Sequence, residues 1–144
     1  MRLGIIVILL IVTGNVRGGL SPLEALSMIE SGNNDQAVGK LGEVSRYQIL
    51  PRVWRAYSSA WNYRNPQLAS EVAEKHLNFL ESGFRERTGR EPSDFDRYVL
   101  WNAGLAYYTR IGFSPSRVHT VIRGRANRYV NLRQMNRTVP DSLK

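Results

Sequence analysis

A chain of 144 residues, 42% of them hydrophobic, is long enough to bury one core and too short for two, so a single globular domain is expected. It contains no cysteine, which excludes disulfides and a lipid on an amino-terminal cysteine and leaves core packing to hold the fold. Twenty basic residues against twelve acidic ones give a net charge of +8, which favours acidic partners such as nucleic acid, anionic lipid or the anionic polymers of a bacterial wall.

The amino terminus, MRLGIIVILLIVTGNVRGG, has a basic start, an apolar run from Leu3 to Val12 and small residues after it. Spanning a bilayer takes ~20 apolar residues, and this run is far shorter. Residues 1–18 therefore read as a secretory signal, cut near Gly14 or Gly18; an uncleaved anchor or a buried first helix is the rival reading. Cleavage removes Arg2 and Arg17 and lowers the net charge from +8 to +6. On this reading residues 19–144 form an exported domain with no stable membrane insertion, and nucleic acid is the least accessible of its acidic partners.

The next signals are helix starts. Ser21 to Glu24, SPLE, is a capping box with proline in the first turn. It predicts a helix to about Glu30, stopped at Ser31 and Gly32 by a left-handed glycine. Gly32 to Ser45 is the one long irregular stretch, and loops of that length in small domains are often functional. Asn65 and Pro66 open a second helix, with Leu68, Val72, Phe79 and Leu80 at apolar positions. SDFD at Ser93 to Asp96 opens another, carrying Phe95, Val99 and Asn102, and SPSR at Ser114 to Arg117 opens the last. No alternating apolar run suggests a large sheet, so the domain is expected to be mainly helical with one structured loop.

In the first helix, Leu23, Leu26 and Glu30 stand at i, i+3 and i+7, which puts a carboxylate on the stripe that faces inward. Burial disfavours its charged form, and the partial negative charge of a helix carboxyl end disfavours an anion by roughly 0.3–1 kcal/mol. A glutamic acid so placed stays partly protonated near neutral pH and can protonate a leaving oxygen. The competing reading is a frayed, solvated residue at a helix end.

ESG at Glu30–Gly32, AVGKLGEVSRYQILP at Ala37–Pro51 and WNAG at Trp101–Gly104 together resemble the lytic transglycosylases of the SLT type, relatives of goose-type lysozyme. In that family a helix ends in Glu-Ser-Gly. A loop with a Gly-Ala-x-Gly-Leu-Met-Gln-like pattern precedes a proline-started helix, and Ala-Tyr-Asn-Ala-Gly follows later. Glu30, Ser31 and Gly32 match the first motif; Gln48 matches the glutamine of the second, with Ile49 and Pro51 after it. Asn102, Ala103 and Gly104 match the third, with Trp101 in place of tyrosine. Gly39 stands where many members have serine, and SRYQ at Ser45 to Gln48 replaces Gly-Leu-Met-Gln. RANRYVNL, from Arg125 to Leu132, is similar to the family's closing helix, and in one of two registers Tyr129 corresponds to its late site tyrosine.

The resemblance implies a lysozyme-like fold, its α+β character reduced to a short loop or hairpin. It also implies cleavage of the β-1,4 bond between N-acetylmuramic acid and N-acetylglucosamine in peptidoglycan strands, in the periplasm or cell wall, without cofactor. Glu30 would protonate the glycosidic oxygen and then deprotonate the muramic C6 hydroxyl, leaving a 1,6-anhydro end. Ser31, Tyr47, Gln48, Trp101, Asn102 and Tyr129 would bind substrate. Gln48 and Asn102 suit the amide and hydroxyl groups of an amino sugar, and Tyr47 and Trp101 could stack on sugar faces; each has a core role as its alternative. Tyr107 and Tyr108 read as core.

His76 and His119, without cysteine or paired spacing, make no metal site, and His76, eight residues after Leu68 on its helix, reads as structural. Asp35 and Glu43 match no catalytic family position and read as solvated loop charges, Glu43 being the better second acid if one exists. The alternatives are a muramidase that uses water, a catalytically silent wall-binding module, and a basic helical protein binding nucleic acid through the arginines from Arg117 to Arg137. The last requires the amino terminus to be retained in a cytoplasmic protein, and there is no recognisable reading helix beyond the charge.

Overall fold

The computed structural model describes residues 18–135; the expected signal segment, apart from Gly18, lies outside the described residues. The first helix, α1 (Pro22–Ser31), begins where the capping box sets it. Ser21 Oγ accepts the Glu24 N–H at 3.3 Å, and Glu24 Oε2 accepts the Ser21 N–H at 2.8 Å. Gly32 ends the helix in a left-handed conformation (φ 64°) and donates its N–H to the Met28 carbonyl.

A single turn, α2 (Pro51–Trp54), follows the loop. The longest helix, α3 (Pro66–Thr88), is capped by the Asn65 side chain, which accepts the Leu68 N–H at 2.9 Å. Ser93 and Asp96 form a second reciprocal box at the start of α4 (Asp94–Arg110). In this box the Asp96 carboxylate is buried, accepts hydrogen bonds from Ser93, Arg90 and Tyr108, and is held below its usual range by these donors despite burial.

Two expectations are corrected. Ser114 to Arg117 does not open a helix: Pro115–Arg117 is a lone 3-10 turn without a side-chain cap, and Val118 is extended. The last helix, α5 (Thr120–Gln134), starts after His119, whose Nδ1 accepts the Val121 N–H at 3.4 Å. Proline fits the first turn of either helix type, so the motif located a turn but not its continuation. Phe79 is 62% exposed. The buried face of α3 centres on Ala69, Ala73, Leu80 and Phe84, and at ~100° per residue Phe79 falls roughly a quarter turn from its middle.

In the core, α4 packs along both α3 and α5, and α1 packs against α5. Its largest fully buried side chains are Trp54, Tyr98, Tyr108, Tyr129 and Phe84. Gly104 interrupts α4 with φ 82° and ψ 162°, a backbone region essentially reserved for glycine. Among the described residues β-structure is limited to two isolated bridges, Val38 with Val44 and Val44 with Ile49, so the domain is mainly helical, single and compact. No helix among the described residues is long and apolar enough to cross a membrane.

Candidate active site

The loop after α1 is tied back to the helix that carries Glu30. Ser31 Oγ donates to the Arg46 carbonyl at 2.8 Å and accepts the Asn34 N–H at 3.0 Å. Arg46 grips Asp35 through two bonds of 2.6 Å, and this pairing holds the Asp35 carboxyl below its usual range. Ser45 and Gln48 are both left-handed, at φ 66° and 51°, conformations that cost ~1–3 kcal/mol in a non-glycine residue and collect at functional sites. Gln48 Nε2 donates to the Ser45 carbonyl at 3.1 Å.

A cleft of about 670 Å³ lies between this loop, α1, α3, α4 and α5. Glu30, Gln48, Trp101 and Asn102, all expected in the site, line it together, along with Glu43 and Arg125. The volume is within the range of small-ligand sites, ~300–1,000 Å³. Ser31, Tyr47 and Tyr129, also expected to bind substrate, are not among the residues lining it. Ser31 latches the loop as described. Tyr47 is buried with its ring edge toward Trp101, centroids 6.5 Å apart. Tyr129 is buried against Tyr98 at 5.7 Å and donates its hydroxyl to the Pro22 carbonyl at 3.4 Å.

The Glu30 side chain is 8% exposed. Tyr98 Oη donates to its Oε1 at 2.7 Å, and Arg125 Nη1 stands 4.0 Å from its Oε2. Burial raises the carboxyl pKa, Tyr98 and Arg125 oppose the rise, and the nearby Glu43 charge adds to it; the balance lies above the usual glutamate value. Burial and the adjacent carboxylate in turn push the Tyr98 hydroxyl well up, so the tyrosine keeps its proton. Chemically this is a carboxyl that holds its proton more tightly than usual, with Tyr98 and Arg125 placed to steady the negative charge once the proton leaves.

Gly39 leaves room for the Glu43 side chain at the cleft. Its N–H donates to the Glu43 carbonyl at 2.8 Å, and a Cβ added there would fall 2.2 Å from Glu43 Oε2 and 2.7 Å from Gln48 Oε1. Two acceptors therefore converge on one spot of the cleft wall. Glu43 Oε2 also accepts the Leu41 N–H at 2.9 Å, so the residue read as a solvated loop charge is held at the cleft.

Sequence reasoning missed Tyr98 and Arg125 and read His76 as structural. His76 lines the cleft, edge-on to Trp101 at 5.4 Å. Its Nδ1 lies 3.1 Å from Tyr57 Oη, and burial lowers its pKa. Tyr98 had a usable signal, since it stands one helical turn before Asn102 and on the same face. Arg125 had none, being one arginine among several on α5. Among the described residues no three His, Asp or Glu side chains are grouped to hold a metal ion. Compared with known proteins, the chain matches no family model, no curated protein and no solved structure.

Proposed function

We propose that this protein is a lysozyme-like, exported peptidoglycan lytic transglycosylase with Glu30 as its acid and base. The observation that carries the reading is a buried carboxyl with a raised pKa at the carboxyl end of α1, opening into a cleft that also presents amides and an indole. Asn102 and Gln48 offer hydrogen bonds to acetamido and hydroxyl groups, and Trp101 offers a face to a sugar ring. The three motif resemblances supply the substrate class.

In the proposed reaction Glu30 gives its proton to the glycosidic oxygen as the bond to C1 of muramic acid breaks. The resulting carboxylate, steadied by Tyr98 and Arg125, takes the proton of the muramic C6 hydroxyl as that oxygen bonds to C1. Intramolecular attack can reach effective molarities of ~10⁵ M or more, so it outruns an unactivated water. Glu30→Gln keeps the shape and removes the proton, and its turnover on purified sacculi should fall by ~10²–10⁴; near-normal turnover would remove Glu30 from the reaction.

A second reading, a muramidase, is favoured by one feature, the Glu43 carboxylate in the same cleft. Inverting hydrolases hold a water with a second carboxylate, and the acceptor pair of Glu43 and Gln48 could bind one. Mass spectrometry of digested peptidoglycan separates the two. The lyase leaves 1,6-anhydromuramic ends, one water lighter and resistant to borohydride, and the hydrolase leaves reducible ends. Absence of soluble products would favour a silent wall-binding module.

A further inference from the structure

The loop that supplies Gly39 and Glu43 to the cleft supplies Val38 and Val44 to a second hollow of about 280 Å³. Its other wall is the segment between α2 and α3, where Trp61 is 60% exposed. A lone exposed aromatic residue is ordinary, but this one rests on a built support. Trp54, fully buried, donates its Nε1–H to the Ala60 carbonyl at 2.8 Å and takes the edge of Tyr63 at 5.0 Å. Tyr63 donates its N–H to the Trp61 carbonyl at 2.9 Å, and the two rings meet edge to face at 6.1 Å. The Arg55 guanidinium lies 4.9 Å from the Trp61 ring centre, covering one side of the indole.

Around this indole the hollow carries polar groups at its rim, where the Asp35 carboxylate is already taken up by Arg46. Asn62 and Gln36 bring amides, and Arg64 brings a guanidinium. An aromatic surface with amides and a cation at its rim suits a ring that has an apolar C–H face and hydroxyl or acetamido groups at its edge. The volume lies just under the usual range for small ligands, the size for a single ring rather than a chain.

We propose that this hollow is a second saccharide-binding site, which takes one amino-sugar unit of a glycan apart from the unit being cut. The class of ligand rests on the reading given above for the cleft. Trp61 and Tyr63 receive the C–H face of the ring, and Asn62, Gln36 and Arg64 receive its polar edge. A protein held at two points on a strand stays on its polymer between cuts, since the second contact becomes intramolecular.

The chain has three tryptophans, Trp54, Trp61 and Trp101, so its indole N–H resonances report on core, hollow and cleft separately. The probe is the N-acetylglucosamine tetramer, titrated into Glu30→Gln protein, in which any cutting should be slowed at least ~10²-fold. The Trp61 resonance should shift and saturate while Trp54 stays still. Trp61→Ala should keep the Trp101 response and bind sacculi ~10-fold more weakly. A still Trp61 with a shifting Trp101 would overturn the second site and leave the cleft reading intact. A shifting Trp61 with a still Trp101 would support the second site and count against the cleft, and no shift in either would overturn both.

Discussion

The carboxyl of Glu30 is 8% exposed, and burial holds its proton more tightly in the folded chain than in the unfolded one. Between the ordinary value of 4.5 and the raised native value, the folded state binds more protons, so stability falls as pH rises through that window. The destabilisation is absent below the window and complete above it. Glu30→Gln, which cannot ionise, should therefore match the parent Tm near pH ~4 and exceed it by a few degrees near pH ~8. A difference that stays constant with pH would contradict the raised pKa. At Gly39 the expected outcome is the reverse, with activity affected and stability spared. Gly39→Ala pushes a Cβ into the ends of the Glu43 and Gln48 side chains, which can swing away, so Tm should change little while turnover falls. Displacing positioned groups by ~1 Å can cost 10²-fold; unchanged kinetics would show that neither side chain meets the substrate.

At the scale of the element, the break in α4 is the feature most sensitive to sequence. Alanine at Gly104 cannot adopt φ 82° and ψ 162° without strain of ~1–3 kcal/mol. Gly104→Ala should lower Tm by several degrees and change the near-ultraviolet dichroism of Trp101, three residues away. An equal or higher Tm would mean that α4 folds straight without loss. The helix starts at Ser21, Asn65 and Ser93 were legible because a cap is local chemistry, fixed by residues three apart. The break was not, because a glycine inside a helical pattern is usually tolerated, and Asn-Ala-Gly carries no sign of its backbone angles. The start of α5 was missed for a related reason, since Ser114-Pro115 has the composition of a helix start and only Val118 turns the chain out of it. Within the site, Glu30, Gln48, Trp101 and Asn102 stood out by motif and spacing. Tyr98 could be traced only through its place one turn before Asn102, and Arg125 reaches Glu30 from α5 by packing between helices distant in sequence, which leaves no local trace.

For the whole molecule, the charge of +6 expected after cleavage should act at long range. If it holds the protein to an anionic wall, binding to sacculi should weaken as salt rises to ~0.5 M, where the Debye length is a few ångströms. Binding to short neutral chitin fragments should barely respond, and equal sensitivity on both would exclude adhesion through charge. Part of the basic helix already has partners inside the fold: Arg125 faces Glu30, and Arg133 reaches Asp94 and the Leu20 carbonyl. That last contact joins the two ends of the described chain, where the Leu20 N–H also meets the Leu132 carbonyl at 3.1 Å. Its consequence is one of timing. Helix α1 leaves the ribosome first and its partner α5 last, so at ~5–20 residues per second Glu30 waits ~5–20 s for the helix that carries Arg125 and closes the cleft. Until then the Glu30 carboxyl has neither its cation nor its buried setting, and on the proposed function a nascent chain that already contains it is unable to cut.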